Sequence, residues 1–347
     1  MQNIIIKILL IVLTTFLFTL LIVPFIKKIA FHIDAVDIPN KRKVHTKPMP
    51  RLGGLAIYFG FLLGYMLFGK HSATMNSILI GSFIIVLTGV IDDIKPLKAS
   101  HKFLGQLVAT MIVVFYGNIV LKDVSAFGLY INFELLAYPL TIMFILGCIN
   151  CMNLIDGLDG LAGGISSIYF LTIGIIAAIN NSIGLDFILT FVMLGSTLGF
   201  LIHNFYPASI FMGDSGSMFL GFIIAVIALL GFKNVTMTSL IIPLLILAIP
   251  ILDTLFAIIR RVLKGESIST PDRFHIHHQL LNRNFSQRTT VLIIYVVNLL
   301  FSFASIVYVL QDRIMGYIIY GILLIIVIAF VAKTNVVFDH KKGKGKK

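Results

Sequence analysis

Between Asn150 and Gly164 the chain reads Asn-Cys-Met-Asn-Leu-Ile-Asp-Gly-Leu-Asp-Gly-Leu-Ala-Gly-Gly. Asp156 and Asp159 stand three apart between two long apolar runs, a spacing that puts both on one face of a helix. Two like charges at such a border repel, and they persist when a cation sits between or beside them. Gly157, Gly160, Gly163 and Gly164 let a second backbone or a ligand approach closely. Carboxylates beside a membrane span mark a functional site.

Other polar groups recur at the ends of apolar runs. Asp92 and Asp93 are adjacent and precede Lys95, Pro96 and Lys98. Adjacent residues on a helix do not share a face, so the two acids are expected to have different tasks. Asp214 lies in Phe211-Met-Gly-Asp-Ser-Gly-Ser, a few residues after His203-Asn204, and Ser215 is placed to cap the next helix. Pro271-Asp272-Arg273-Phe274 leads into His275-Ile-His277-His278. Three histidines in four positions suit zinc binding, acid–base chemistry or hydrogen bonding to phosphate. No His-Glu-x-x-His is present, and the surrounding acids speak against a zinc protease. The aspartates at 92, 93, 156, 159 and 214 offer hard oxygen ligands instead, which suit Mg²⁺. The basic loop before Gly53-Gly54, which includes Lys47, offers Lys as a point charge and Arg as a fork that suit phosphate, or serves only as a positive-inside loop, and the two glycines point to close backbone packing there. Asp253 lies inside an apolar run, about 10 Å along a helix from Arg260. It either lines the site or pairs with a cation from another helix.

The elements that must position these groups are membrane helices. Hydrophobic residues make up 58 % of the chain, charged residues 12 %, and the mean hydropathy is +1.02. That is more apolar surface than a soluble domain needs. We read about eleven apolar runs of bilayer-crossing length, near 4–26, 52–69, 76–91, 102–118, 135–152, 160–180, 186–204, 216–232, 236–259, 290–310 and 314–332. The short alternating segments of a transmembrane barrel are missing. The first run lacks a small-residue cleavage site and reads as a retained anchor. The segment 119–134 is expected to hold a short amphipathic piece or a hairpin. The expected architecture is an all-α polytopic membrane protein, with a single transmembrane domain over 1–332 and a basic tail over 333–347.

Charge orients the chain. Of the 27 Lys and Arg, all but Lys7, Lys70, Lys122, Lys233 and Arg313 fall on one set of connections and the tail. The positive-inside rule makes that set cytoplasmic, with the active site and the C-terminus. The clustered acids and histidines fall in the same set, which membrane anchoring alone does not require. The net charge of +12 thus reads as orientation and not as nucleic-acid binding, and the Lys-rich end rests near anionic headgroups. Cys148 and Cys151 form a lone C-x-x-C in an apolar helix end and read as packing residues.

Taken together, Asp92-Asp93, Asn153-Leu-Ile-Asp156-Gly-Leu-Asp159-Gly, Phe211-Met-Gly-Asp214-Ser-Gly-Ser and Pro271-Asp-Arg-Phe-His275-Ile-His277-His278 resemble the polyprenyl-phosphate N-acetylhexosamine-1-phosphate transferases. His-Ile-His-His is similar to the WecA/TagO-like branch, whereas the phospho-MurNAc-pentapeptide transferase branch of the superfamily carries three consecutive histidines. The resemblance runs from about residue 30 to 290. It implies a glycosyl-1-phosphate transferase that uses undecaprenyl phosphate and UDP-N-acetylglucosamine in the plasma membrane and releases UMP. It implies Mg²⁺, with Mn²⁺ able to take its place, and a homodimer as an expected assembly. By the resemblance, Asp214 and Asp156 are metal ligands, and Asp92, Asp93, Asp214 and His275 are catalytic. Lys47, Asn153, Asp156, Asp159, Asn204, Arg273, His277 and His278 bind substrate. The product would begin a cell-envelope glycan, such as a teichoic acid linkage unit or an O-antigen. Two rivals are a pentapeptide-type transferase and, from another class, a cation-coupled transporter. The transporter would place acids in mid-span and show an inverted repeat; only Asp253 lies well inside a span, and no repeat is visible.

Overall fold

In lipid every backbone N–H and C=O must be satisfied within the segment, so apolar runs of this length become helices. The computed structural model describes residues 2–39, 48–126, 129–180, 183–233, 241–263, 265, 275–310 and 313–332. It is an all-α polytopic membrane protein. Nine helices among the described residues are long and apolar enough to cross a membrane. The chain divides into two compact units, Met1–Pro243 and Leu244–Lys347.

The first unit holds α1 (Gln2–His32), α2 (Gly53–Phe68), α3 (Ala73–Ile94), α4 (Ala99–Met111), α5 (Ala137–Ile155), α6 (Leu161–Ile179), α7 (Leu185–Asn204) and α8 (Gly213–Lys233). A helix that is apolar all round is a core helix, and α8 is one: it packs against α2, α3, α5 and α7, and 94 % of its apolar window is buried. Because α8 is held on so many sides, whatever sits at its N-terminus is held as well. Polar side chains also tie the helices together. Ser167 Oγ on α6 donates to Thr197 Oγ1 on α7 at 3.0 Å, and Asn150 Nδ2 on α5 donates to Gln106 Oε1 on α4 at 3.0 Å.

Two short ribbons complete this unit. β1 (Val36–Asp37) pairs antiparallel with β2 (Met49–Pro50). β3 (Asp123–Ala126) pairs with β4 (Leu129–Asn132), so the segment before α5 holds a hairpin. The expected second span is α2, at 16 residues shorter than the nine.

The expected ninth span, which runs from the first unit into the second, is broken into α9 (Ile241–Ile246) and α10 (Ala248–Leu263). Pro250 has no N–H to give the Ile246 carbonyl, the bond an unbroken helix would need there. Regular bonding resumes with Ile251 N–H on Leu247 O at 3.0 Å. After α10 come α11 (Ile276–Leu281), α12 (Gln287–Leu310) and α13 (Arg313–Ala332). The basic tail lies outside the described residues.

Candidate active site

Asp92 and Asp93 fall in the last turn of α3, where a helix dipole disfavours negative charge. Each finds a compensating donor elsewhere. Asp93 is aimed at the N-terminus of α8, where the dipole and the free N–H groups favour an anion. Its Oδ1 accepts from Asp214 N–H at 2.8 Å, and its Oδ2 from Ser215 N–H at 3.1 Å and Ser215 Oγ at 2.8 Å. Asp92 turns the other way, accepting from Leu97 N–H at 2.8 Å and from Lys102 Nζ at 3.2 Å. The two adjacent acids thus have separate hydrogen-bond partners.

Lys102, one turn into α4, also donates to Asp214 Oδ2, so one ammonium bridges Asp92 and Asp214. Arg51 supplies a second cation. It follows the β1–β2 ribbon, and its guanidinium lies 3.9 Å from Asp37, 3.7 Å from Asp93 and 3.9 Å from Asp214. Lacing of the main chain holds it there. Phe211 N–H donates to Pro50 O at 2.8 Å, Gly53 N–H to Phe211 O at 3.0 Å, and Gly54 N–H to Met212 O at 2.8 Å. The lacing needs glycine at two places. A Cβ on Gly54 would fall on the backbone of Gly216, and Gly213 takes φ +75° with Arg51 O and the Asp93 carboxylate where its Cβ would lie.

The stretch from Asn150 to Gly164 is not one helix. α5 ends at Ile155, Asp156 takes non-helical angles (φ −76°, ψ 60°), and α6 starts only after Gly160 at φ 77°. Asp156 and Asp159 therefore do not share a helix face; the glycines that admit close approach also break the helix. Asp159 Oδ2 accepts from Ala208 N–H at 3.0 Å. Asn204 accepts from Gly160 N–H at 3.0 Å through Oδ1 and donates to Ile210 O at 2.9 Å through Nδ2. These two residues staple the turn after α5 to the loop before α8. Asn153 donates to Ser217 Oγ at 2.9 Å and ties α5 to α8. Asp156 feels Asp214, Asp93 and Asp159. Burial first, then these like charges, push its carboxyl up to about 8, with Arg51 opposing.

A buried carboxyl with like charges beside it, as Asp156 is, is a donor that a cation relieves. The hard oxygens of Asp156 and Asp214 fit Mg²⁺, which commonly takes one or two carboxylates and completes its shell with water and substrate phosphate. No cluster of three or more His, Cys, Asp or Glu ligands stands among the described residues.

In the second unit, Asp253 on α10 accepts from Ile276 N–H at 2.7 Å through Oδ1 and lies 2.9 Å from His275 Nδ1 through Oδ2. Its partner is thus a histidine and a backbone N–H, beyond what the spacing to Arg260 suggested. The His275 and His277 rings are parallel, with centroids 5.7 Å apart, and the His277 and His278 centroids lie 4.3 Å apart. His277 is 2 % exposed, and its Nδ1 has no hydrogen-bond partner among the described residues. Burial and the neighbouring His278 lower it to about 3, with Asp253 opposing and His275 adding. Lys47 and Arg273 lie outside the described residues. Arg51 and Lys102 are the site cations that reading by motif passed over, because each sits within a charged loop end that orientation alone accounts for. Their signal was position: Arg51 two residues before the Gly-Gly pair, Lys102 one turn beyond the Asp-Asp loop.

The Glycosyl transferase family 4 model matches residues 75–232, which contain Asp92, Asp93, Lys102, Asp156 and Asp214. Among curated proteins, the probable undecaprenyl-phosphate N-acetylglucosaminyl 1-phosphate transferase of Bacillus subtilis is 44 % identical over 292 residues, covering 83 % of this chain and 81 % of its own. The decaprenyl-phosphate N-acetylglucosaminephosphotransferase of Mycobacterium leprae is 32 % identical, covering 77 % and 75 %. The undecaprenyl-phosphate alpha-N-acetylglucosaminyl 1-phosphate transferase of Escherichia coli K12 is 28 % identical, covering 80 % and 78 %.

Proposed function

The chain belongs to the polyprenyl-phosphate N-acetylglucosamine-1-phosphate transferases of glycosyl transferase family 4, and on that premise we propose that it transfers N-acetylglucosamine 1-phosphate from UDP-N-acetylglucosamine to undecaprenyl phosphate. An oxygen of the lipid phosphate attacks the phosphorus that carries the sugar. The bond from that phosphorus to the oxygen shared with UMP breaks, and UMP leaves with the electron pair. The product is a lipid-linked diphosphate sugar.

The observation that carries this reading is one cation shared by two carboxylates, Lys102 between Asp92 and Asp214. Attack of one phosphate on another needs positive charge on both before it can begin. Arg51 and Lys102 supply that charge from this chain. Asp92 takes the remaining proton of the lipid phosphate, while Lys102 holds the carboxylate in place. Asp93 acts through Asp214 and Ser215, fixing the N-terminus of α8. Asp214 and Asp156 would hold Mg²⁺. Bound there, Mg²⁺ would neutralise the donor diphosphate and stabilise charge on the leaving oxygen. By the resemblance, His275, His277 and His278 would bind the donor.

Both the charge partition and the substrates support a plasma-membrane enzyme whose site opens to the cytosol, since the acceptor tail lies in lipid and the nucleotide sugar in water. The product would begin an envelope glycan such as a teichoic acid linkage unit or an O-antigen, and the enzyme would work as a homodimer. The test uses purified protein in detergent with undecaprenyl phosphate, Mg²⁺ and radiolabelled UDP-N-acetylglucosamine, with Asp214→Ala beside wild type. Mg²⁺-dependent label in the lipid phase, lost in the variant, is the expected result. Labelling only from UDP-MurNAc-pentapeptide would move the chain to the other branch of the superfamily.

A further inference from the structure

An aspartate in the middle of an apolar helix is costly unless its charge is paired, and Asp253 is 2 % exposed on α10. We infer that Asp253 is the positioning residue of the histidine motif: its carboxylate dictates that Nδ1 of His275 carries a proton and leaves Nε2 as the ring atom that accepts from an O–H or N–H of the donor substrate.

The geometry uses both carboxylate oxygens. Oδ1 takes the N–H of Ile276 at 2.7 Å, and Oδ2 faces His275 Nδ1 at 2.9 Å. An ionised carboxylate only accepts hydrogen bonds. A lone pair on Nδ1 would face the lone pairs of Oδ2, so Nδ1 carries the proton. Which ring nitrogen is protonated follows from the bond the other one makes. His275 is itself buried, at 6 % exposed, and a ring held on one side by a carboxylate has a single polar atom left.

The same carboxylate sets the backbone. His275 is the N-cap of α11, but its side chain makes no capping bond. The N–H of Ile276, which would otherwise be an orphan of the first turn, is taken by Asp253 instead. One group on α10 thus fixes the start of α11 and the rotation of the ring at that start. His277, two residues on, stands parallel to His275. The ring orientation of the motif therefore depends on a residue that lies 22 positions upstream of His275 and outside the motif.

Asp253→Asn separates this role from simple capping. An asparagine keeps the shape and one carbonyl oxygen. With that oxygen on Ile276 N–H, its NH₂ faces Nδ1 and favours the opposite tautomer. The first measurement needs no variant: ¹⁵N-histidine NMR of the full-length protein in detergent, with His275→Gln to assign the signal. Wild type is expected to show a protonated Nδ1, and Asp253→Asn an unprotonated one at unchanged melting temperature. A bare Nδ1 in wild type, or the same state in both proteins, overturns the inference.

The second measurement rests on the transferase reading. There kcat/KM for UDP-N-acetylglucosamine should fall by at least about tenfold in Asp253→Asn, the low end of the scale known for carboxylates that orient metal-binding histidines. The KM for undecaprenyl phosphate should not change. A tautomer flip with unchanged kcat/KM contradicts the positioning role. Wild type with no transfer at all would sink the transferase reading while the NMR result still judges the inference.

Discussion

Asp93 caps the helix that carries Asp214. Its two oxygens accept from the N–H of Asp214, and from the N–H and hydroxyl of Ser215, at 2.8, 3.1 and 2.8 Å. The acid on α3 thereby sets the direction from which Asp214 enters the site. Removing it orphans buried donors at about 1–3 kcal/mol each before any relaxation. Asp93→Ala is therefore expected to lower both the melting temperature and kcat. Asp214→Ala should lower kcat with the melting temperature nearly kept. Equal melting temperatures for wild type and Asp93→Ala would contradict the capping role.

Lys102 stands between Asp92 and Asp214. Lys102→Gln leaves the two carboxylates without a shared cation. We expect kcat to fall by tenfold or more, on the order of one lost electrostatic stabiliser. The half-saturating Mg²⁺ concentration should drop as well, because Asp214 no longer has an ammonium bound to it. A Mg²⁺ titration of both proteins checks this, and an unchanged kcat would refute it.

Gly54 and Gly147 make a matched pair. A methyl at Gly54 falls on the backbone of Gly216, whereas one at Gly147 meets nothing within 4 Å. Gly54→Ala is expected to destabilise by roughly 1–3 kcal/mol and to displace the Gly53-Gly54 lacing that holds Arg51. Gly147→Ala, in the interior of α5, is expected to be neutral or to stabilise by up to about 1 kcal/mol. Thermal unfolding in one detergent compares them, and a neutral Gly54→Ala would show that the close approach is not required.

His277 gives the pH dependence of the second unit. Burial and His278 lower it from 6.5 to about 3. The unfolded chain binds this proton near pH 6.5 and the folded chain only near pH 3. Between those values the unfolded state holds more protons, so stability falls as the pH falls. The slope is up to about 1.4 kcal/mol per pH unit. His277→Gln should flatten the fall of melting temperature between pH 6.5 and 4. Identical slopes in the two proteins would contradict the buried, neutral ring.

Much of this was legible in the residues. Run lengths and hydropathy gave the membrane helices, and the adjacency of Asp92 and Asp93 already sent them to different partners. The Gly-Gly pair announced the close backbone approach found between Gly54 and Gly216. The shared face of Asp156 and Asp159 failed for a local reason: the glycines that follow each of them end one helix and delay the next. The break at Ile246 was written in Pro250, but a continuous apolar run hid it. Arg51 and Lys102 were hidden because a cation at a membrane border has a sufficient explanation in topology, and only the three-dimensional meeting of α3, α4 and α8 gives each of them carboxylate partners. Asp253 found a histidine and a backbone amide, partners set by the fold of the α10–α11 segment and unreadable from helical spacing.

The central claim is that phosphorus moves with the sugar, and UDP-N-acetylglucosamine labelled with ³²P at the sugar-bearing phosphate tests it directly. With undecaprenyl phosphate, Mg²⁺ and the purified protein, the label is expected in the lipid phase, in step with unlabelled UMP in water. Label retained in water as UDP, with sugar alone reaching the lipid, would contradict the account.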